Sequence, residues 1–227
     1  MSDKNHINHI ISARDLSVVR NGKTLLDRVN LGVREGSLTM LLGHNGAGKS
    51  VLLQTLHGVF GSVDGTITAP PAERQKMVFQ KPVLLRRTAR RHFDFVCPGL
   101  AEADVDAWFS HTNLSGQKDI MARRLSGGEQ QKLALIGALA SNPTLLFLDE
   151  PTSHLDYEST TAIEHMITEA HKMGTTIIMT SHNRAQAERL AEDVLFIHKG
   201  KILETADSET FFAAPEHPAA KQFLNHL

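Results

Sequence analysis

Two stretches near the start of the chain, residues 12–20 and 25–33, alternate apolar and polar side chains loosely, with Asn21-Gly22 between them as a turn. Period-two alternation on either side of a turn dipeptide predicts an antiparallel hairpin. Residues 37–42 form a short apolar run, the pattern of a strand buried on both faces. A glycine-rich segment follows, and 49–57 then reads as a helix. The span 61–71 is rich in turn residues, and 76–80 is another short strand. From 81 to 140 the strand patterns give way to helical ones: helices are expected over 89–96, over 101–109, and from Ser126 to about Ala140, where Asn142-Pro143 ends the pattern. The strand–helix alternation then resumes, with strands at 145–148 and 176–179, helices at 159–173 and 185–191, and a hairpin of 194–198 with 201–204 closed by Gly200. The prediction is a parallel α/β core interrupted by a helical insert.

At 227 residues the chain is long enough for one α/β domain with a sizeable core. Residues 10–80 and 141–227 are assigned to the core and 81–140 to the insert. A net charge of −1 gives no general pull toward nucleic acid or acidic lipid. No apolar run approaches the roughly 18 residues that suggest a membrane span. Residues 1–9 are polar and lack the apolar centre of a secretory signal. Cys97 is the only cysteine, so no internal disulfide is possible, which suits a reducing compartment. His6 and His9 are spaced to reach one metal ion, but a solvated terminus accounts for them better.

The chemistry is concentrated in two places. Gly43, His44, Asn45, Gly46, Ala47, Gly48, Lys49 and Ser50 fit the phosphate-loop pattern G-x-x-x-x-G-K-[ST], set between an apolar strand and a helix. Glycines let backbone amides crowd around phosphate oxygens, and the helix that continues through Val51 points its positive end at them. Lys49 would reach the terminal phosphates and the Ser50 hydroxyl would ligate magnesium. Asp149 follows the strand at 145–148, at the carboxyl edge where open α/β sheets bind ligands, and would hold the same magnesium ion. Glu150 is placed to polarise an attacking water as general base. ATP and Mg2+ are therefore the expected ligands.

Between these motifs lies Leu125-Ser126-Gly127-Gly128-Glu129, 23 residues before Asp149 (149 − 126). The string resembles the signature of ATP-binding cassette (ABC) proteins. With it, Gln80 resembles the family's Q-loop glutamine, His182 its switch histidine, and Ser153-His154-Leu155-Asp156 its D-loop. The resemblance implies a P-loop NTPase (RecA-like) parallel-sheet core, an N-terminal antiparallel β subdomain and an α-helical insert. It implies a homodimer in which Ser126, Gly127, Gly128 and Glu129 face the nucleotide of the other protomer and Asp156 steers contacts across the dimer. Gln80 would sense magnesium or the attacking water and link the core to the insert, and His182 would contact the γ-phosphate. The family usually stacks an aromatic side chain on adenine; here that position is Arg20, which would offer a guanidinium plane instead. His154 replaces a small residue, and Tyr157 stands where proline is common.

Cassettes of this kind mostly power transport. A lone cassette implies separate transmembrane permease subunits, a periplasmic or lipoprotein substrate-binding protein, and a peripheral position on the cytoplasmic face of a bacterial inner membrane. Residues 80–87 lie where the family docks a helix of the membrane subunit, and Arg86, Arg87, Arg90 and Arg91 would meet acidic residues or headgroups there. No aromatic platform is interleaved with these arginines, so nucleic acid is not expected. The wording of this loop, of LSGGEQQKLAL and of FFAAPEHPAAKQFL is similar to tungstate-type oxyanion importers. Phosphate, amino-acid and lipoprotein or efflux cassettes are the alternatives. From other classes, a non-transport cassette acting on nucleic acid or ribosomes and a P-loop small-molecule kinase stay open.

Overall fold

The N-terminal alternation folds as two long antiparallel strands, β1 (His9–Arg20) and β2 (Lys23–Arg34), in the computed structural model, which describes residues 8–61 and 63–225. His6 lies outside the described residues. Among those residues no group of three or more His, Cys, Asp or Glu is placed to hold a metal, and no helix is long and apolar enough to cross a membrane.

The central sheet has the order β5-β6-β7-β3-β8-β9. Its strands are β3 (Leu38–Leu42), β5 (Gln75–Val78), β6 (Leu145–Leu148), β7 (Thr176–Thr180), β8 (Asp193–His198) and β9 (Lys201–Asp207). All pair in parallel except β9, which returns antiparallel on β8. The continuous apolar runs follow from burial on both faces. In β6, Leu146 and Leu148 join one hydrophobic cluster while Leu145 and Phe147 join another. The first cluster is closed by α5 (Tyr157–Lys172), α6 (Arg184–Leu190), α7 (Ser208–Ala213) and α8 (Pro218–Leu224) through Ile163, Ile167, Ala187, Phe211 and Phe223. The second is closed by α1 (Lys49–Leu56) and the N-terminal strands through Leu52, Leu53, Leu56, Ile11, Leu16 and Val18.

The insert has its own apolar centre. Phe93 of α2 (Ala89–Val96) meets Phe109 of α3 (Glu102–His111) edge to face at 5.5 Å, surrounded by Leu84, Val105, Leu114 and Leu125. The helix α4 (Gly127–Leu139) serves both bodies, with Leu133 and Ile136 in the insert's cluster and Leu135 and Ala138 in the main core. Capping explains where the helices begin: Ser126 and Glu129 form a reciprocal capping box on α4, Asp156 accepts from the Ser159 amide at 2.7 Å to start α5, and Thr88 caps α2.

Three expectations need adjustment. The span 61–71 is not only turn: β4 (Asp64–Thr68) adds to β1 as the third strand of the order β2-β1-β4. It is an exposed edge strand with only Ile67 packed inward, so it lacks the apolar pattern that reveals a buried strand. The helices α7 and α8 had no counterpart in the sequence reading; each is short, and tertiary burial of Phe211, Phe223 and Leu224 holds them. Arg90, grouped with three other arginines as a free basic face, instead turns inward to Asp94 at 2.8 Å and to both oxygens of Glu102. Two acids within the insert satisfy it, so it is not part of the open face.

His92 lies buried in the insert, and its Nδ1 accepts from the Leu85 amide at 3.4 Å. Only an unprotonated Nδ1 can accept. Burial accordingly holds the His92 pKa below the ordinary 6.5. Between its folded and unfolded pKa values the unfolded chain binds more protons. The contribution is therefore complete above about 6.5 and is lost as pH falls below it. In urea titrations at about pH 7.5 and about pH 5.5, either side of the free-histidine value, the wild-type midpoint should drop on acidification. The drop should be smaller in His92→Leu, and an equal drop in both would refute this role.

Candidate functional site

The strand order brings the sequence motifs to one edge. Reading across β5, β6, β7 and β3, their carboxyl ends deliver Gln80, then Asp149 and Glu150, then Ser181 and His182, then the loop into α1. A cleft of about 720 Å³ opens there, lined by Asn45, Gly46, Gly48, Lys49, Ser50 and Val51 on one side and by Gln80, Glu150 and His182 on the other.

The loop requires its glycines. Gly43 passes so near β8 that a Cβ there would lie 2.2 Å from the Ile197 carbonyl oxygen. Gly48 caps α1 in a left-handed conformation, φ 110°, that side chains disfavour. Lys49 is buried, and its Nζ donates to the Gly43 carbonyl at 2.7 Å and to that of His44 at 3.3 Å. Burial pushes the Lys49 ammonium below its ordinary pKa, against the pull of the Glu150 and Asp149 carboxylates. A desolvated cation held only by carbonyls is poised to exchange them for a stronger anionic partner.

Asp149 is buried, and one oxygen, Oδ1, accepts from Ser50 Oγ at 3.0 Å and from Thr180 Oγ1 at 3.0 Å. The same Thr180 oxygen accepts from the Glu150 amide at 2.8 Å. Glu150 has a positive φ of 48°, an unusual backbone for a side chain of this size, which directs it away from its neighbour. Its Oε2 accepts from Gln80 Nε2 at 2.8 Å, and its Oε1 lies 2.5 Å from His182 Nε2. Ser50 Oγ and the Asp149 carboxylate are a pair of hard oxygen ligands beside a phosphate-sized cradle. That donor set suits magnesium, which is commonly bound through one or two carboxylates together with phosphate oxygens and water.

Other expected site residues lie elsewhere. The His44 side chain packs edge-on against Phe223 at 5.0 Å and His198 at 6.3 Å, and Ala47 is buried in the core; neither lines the cleft. Arg20 lies outside the lining too, with its guanidinium over the Phe60 ring at 5.9 Å. Ser126, Gly127, Gly128, Glu129 and Asp156 are away from the cleft at the adjoining starts of α4 and α5. There Gly128 has a local reason: a Cβ would stand 2.2 Å from Ser159 Oγ.

Sequence reasoning missed Lys23, Thr24, Lys199 and Gly200, which line the cleft. Gly200 was visible only as a turn. In the structure its amide donates to the Ala47 carbonyl at 2.8 Å, and its carbonyl accepts from Asp27, fastening the β8–β9 turn to the phosphate loop. Thr180 was also missed, although a hydroxyl ending an apolar strand beside the carboxylate strand was a usable signal.

A sequence profile described as ABC transporter matches residues 26–153. The phosphate import ATP-binding protein PstB 2 of Natronomonas pharaonis is 32% identical, over 90% of this chain and 82% of that protein. The methionine import ATP-binding protein MetN of Geobacillus kaustophilus is 31% identical over 90% of this chain, which spans 66% of that longer relative. The L-cystine transport system ATP-binding protein TcyN of Escherichia coli is 28% identical over 94% of this chain and 96% of its own. Among solved structures, cbiO1 from Clostridium perfringens, described as part of the ABC transporter complex cbiONQ, superposes with a TM-score of 0.77 at 26% identity, covering 91% of each chain.

Thr180→Val removes a donor from the buried Asp149 carboxylate and the acceptor of the Glu150 amide. A hydrogen bond to a charged group is worth about 1.5–3 kcal/mol, so urea unfolding should show at least that loss. Thr180→Ser should retain most of the stability, and a Val variant as stable as wild type would refute the pinning role.

Proposed function

Because the chain belongs to the ABC transporter family, whose ATP-binding proteins are ATPases, we propose that it is the ATP-hydrolysing subunit of an importer, working as a homodimer beneath permease subunits. The observation that carries this reading is the convergence of Lys49, Ser50, Asp149, Glu150, Gln80 and His182 on one sheet edge. The separation of the signature residues from that cleft supports the dimer, in which Ser126 to Glu129 would be taken from a second chain. The resemblance adds a substrate-binding protein and a place on the cytoplasmic face of the membrane.

In this mechanism the loop amides from Gly43 to Ser50 receive the phosphates of ATP. Lys49 turns from the Gly43 and His44 carbonyls to the terminal phosphate oxygens. Ser50 and Asp149 would hold magnesium, which when bound would supply neutralisation of phosphate charge. Glu150 takes a proton from a water whose oxygen attacks the γ-phosphorus, while the bond to the β-bridging oxygen breaks and ADP leaves. His182, now 2.5 Å from Glu150, donates from Nε2 to the transferring group, and Gln80 orients the water. The exposed face formed by Arg86, Arg87, Arg91, Phe95 and Met121 is the proposed docking place for a permease helix.

The stretches LSGGEQQKLAL and FFAAPEHPAAKQFL support a tungstate-type oxyanion as cargo. The phosphate, methionine and cystine relatives support the alternative of phosphate or an amino acid.

Glu150→Gln should keep ATP affinity and lower turnover by at least ~10²-fold, since general-base catalysis contributes about 10²–10⁴; normal turnover would remove Glu150 from the role of base. Lys49→Ala should weaken ATP binding, and unchanged affinity in a nucleotide titration would overturn the phosphate-loop assignment. For cargo, cells lacking the chain should lose tungsten uptake and regain it with wild type but not with Lys49→Ala. A defect in phosphate or amino-acid uptake instead would select the alternative.

A further inference from the structure

Beside the nucleotide cleft, and sharing Glu150 and His182 with it, lies a second cleft of about 800 Å³. The Glu150–His182 pair is thus a thin wall between two open spaces, with the His182 side chain 44% exposed. The two members touch at 2.5 Å but leave different strands, β6 and β7, so the contact depends on how the two strand ends are held relative to each other. Thr180 holds the Glu150 amide at the strand ends, and a second tie lies behind the two segments.

Behind them is Gln186, on α6, only 2% exposed and satisfied at both ends of its amide. Its Oε1 accepts from Ser181 Oγ at 2.6 Å, and its Nε2 donates to Thr152 Oγ1 at 2.9 Å and to Glu164 Oε1 at 2.8 Å. Ser181 immediately precedes His182, and Thr152 is two residues after Glu150. Ser181 Oγ also accepts from the Asn183 amide at 3.0 Å, closing the turn that carries His182. Glu164, on α5, is held in turn by Arg189 at 2.6 Å. One buried amide therefore joins the segment of the general base to the segment of the histidine and anchors both to two helices. Only a group that donates and accepts at once can do this. A hydrocarbon of similar size loses all three bonds, and a carboxylate loses the donor while facing Glu164.

We infer that Gln186 is a positioning residue for hydrolysis, setting the relative placement of Glu150 and His182 without touching nucleotide. The inference rests on the assignment of Glu150 as base. It separates binding from turnover, because none of the phosphate-loop contacts passes through Gln186.

The test is ATP affinity and steady-state hydrolysis with the full-length chain as wild type, Gln186→Leu, Gln186→Glu, the exchange Glu164→Gln/Gln186→Glu, and Glu150→Gln. A misplacement of about 1 Å by a change away from the chemistry costs on the order of 10²-fold. Gln186→Leu should therefore lower kcat by roughly ten- to a hundredfold while KM for ATP stays near wild type. The exchange variant retains one acid and one amide in the same contact, so it should recover most of the turnover that Gln186→Glu alone loses. A structural filler would show no such reciprocity. Wild-type kcat in Gln186→Leu overturns the inference, as does a parallel loss of ATP affinity, or an exchange that restores nothing. Should Gln186→Leu not fold, Gln186→Glu against the exchange carries the same comparison. Normal turnover in Glu150→Gln overturns the base assignment and this inference with it; loss there alongside an intact Gln186→Leu overturns this inference alone.

Discussion

The buried carboxylate of Asp149 is the constraint on which the cleft depends. A charge removed from water is tolerated only when hydrogen bonds replace its solvation. Here the hydroxyls of Ser50 and Thr180 meet on one of its oxygens. These donors sit on α1 and β7, so satisfying the charge fixes the start of the phosphate-loop helix against two strands of the sheet. The Thr180 oxygen then accepts from the Glu150 amide, which carries the constraint to the next residue. The left-handed backbone of Glu150 is unfavourable for a side chain of this size, and the surrounding bonds hold it there. Asp149 and Glu150 are adjacent in sequence but separated in direction, one bonded to the loop helix and the other to Gln80 and His182.

The starts of α4 and α5 show the same economy. Ser126, Glu129 and Asp156 are all engaged in capping, and Gly128 lets the two helix ends approach. These contacts explain the residues as local structure before any nucleotide is considered. The proposed role toward a second protomer would add to them, because the capping box does not use every first-turn amide of α4 and the helix dipole favours an anion there. Substitutions at Ser126 or Asp156 therefore disturb a helix terminus as well as any trans contact, and reduced activity alone does not separate the two.

Much of this was legible in the chain, for physical reasons. Strands buried on both faces announce themselves as uninterrupted apolar runs, so β3, β6 and β7 could be read to within a residue or two. The phosphate loop is legible because its geometry admits only glycine at Gly43 and Gly48. What could not be read was whatever depends on distant parts of the chain. Edge strand β4 has no buried face to impose a pattern. Helices α7 and α8 are too short to show a period and exist because Phe211 and Phe223 find a place in the core. Lys23 and Lys199 reach the cleft from two hairpin tips that no local spacing connects to the phosphate loop. Arg20 kept its predicted place at the end of β1, but its guanidinium plane is turned to Phe60, a partner 40 residues away (60 − 20).

The helical insert and the core cannot be treated as independent bodies. Helix α4 contributes opposite faces to the two hydrophobic clusters, and Gln131 on the same helix donates to the Phe79 carbonyl at 3.3 Å, just before Gln80. On the other side of Gln80 the chain enters the insert through Leu84, whose carbonyl accepts from Arg123 at 2.6 Å. Gln80 itself is exposed and bonds Glu150 and Ser153 through its side chain alone. The segment is thus clamped at Phe79 and Leu84, with its free residues between the clamps. A rotation of the insert against the core would act on that segment, which carries the amide of Gln80 on the Glu150 carboxylate. With Glu150 in its proposed role, coupling between insert and chemistry needs no long relay, because the residue that contacts its carboxylate, Gln80, lies in the segment joining core and insert.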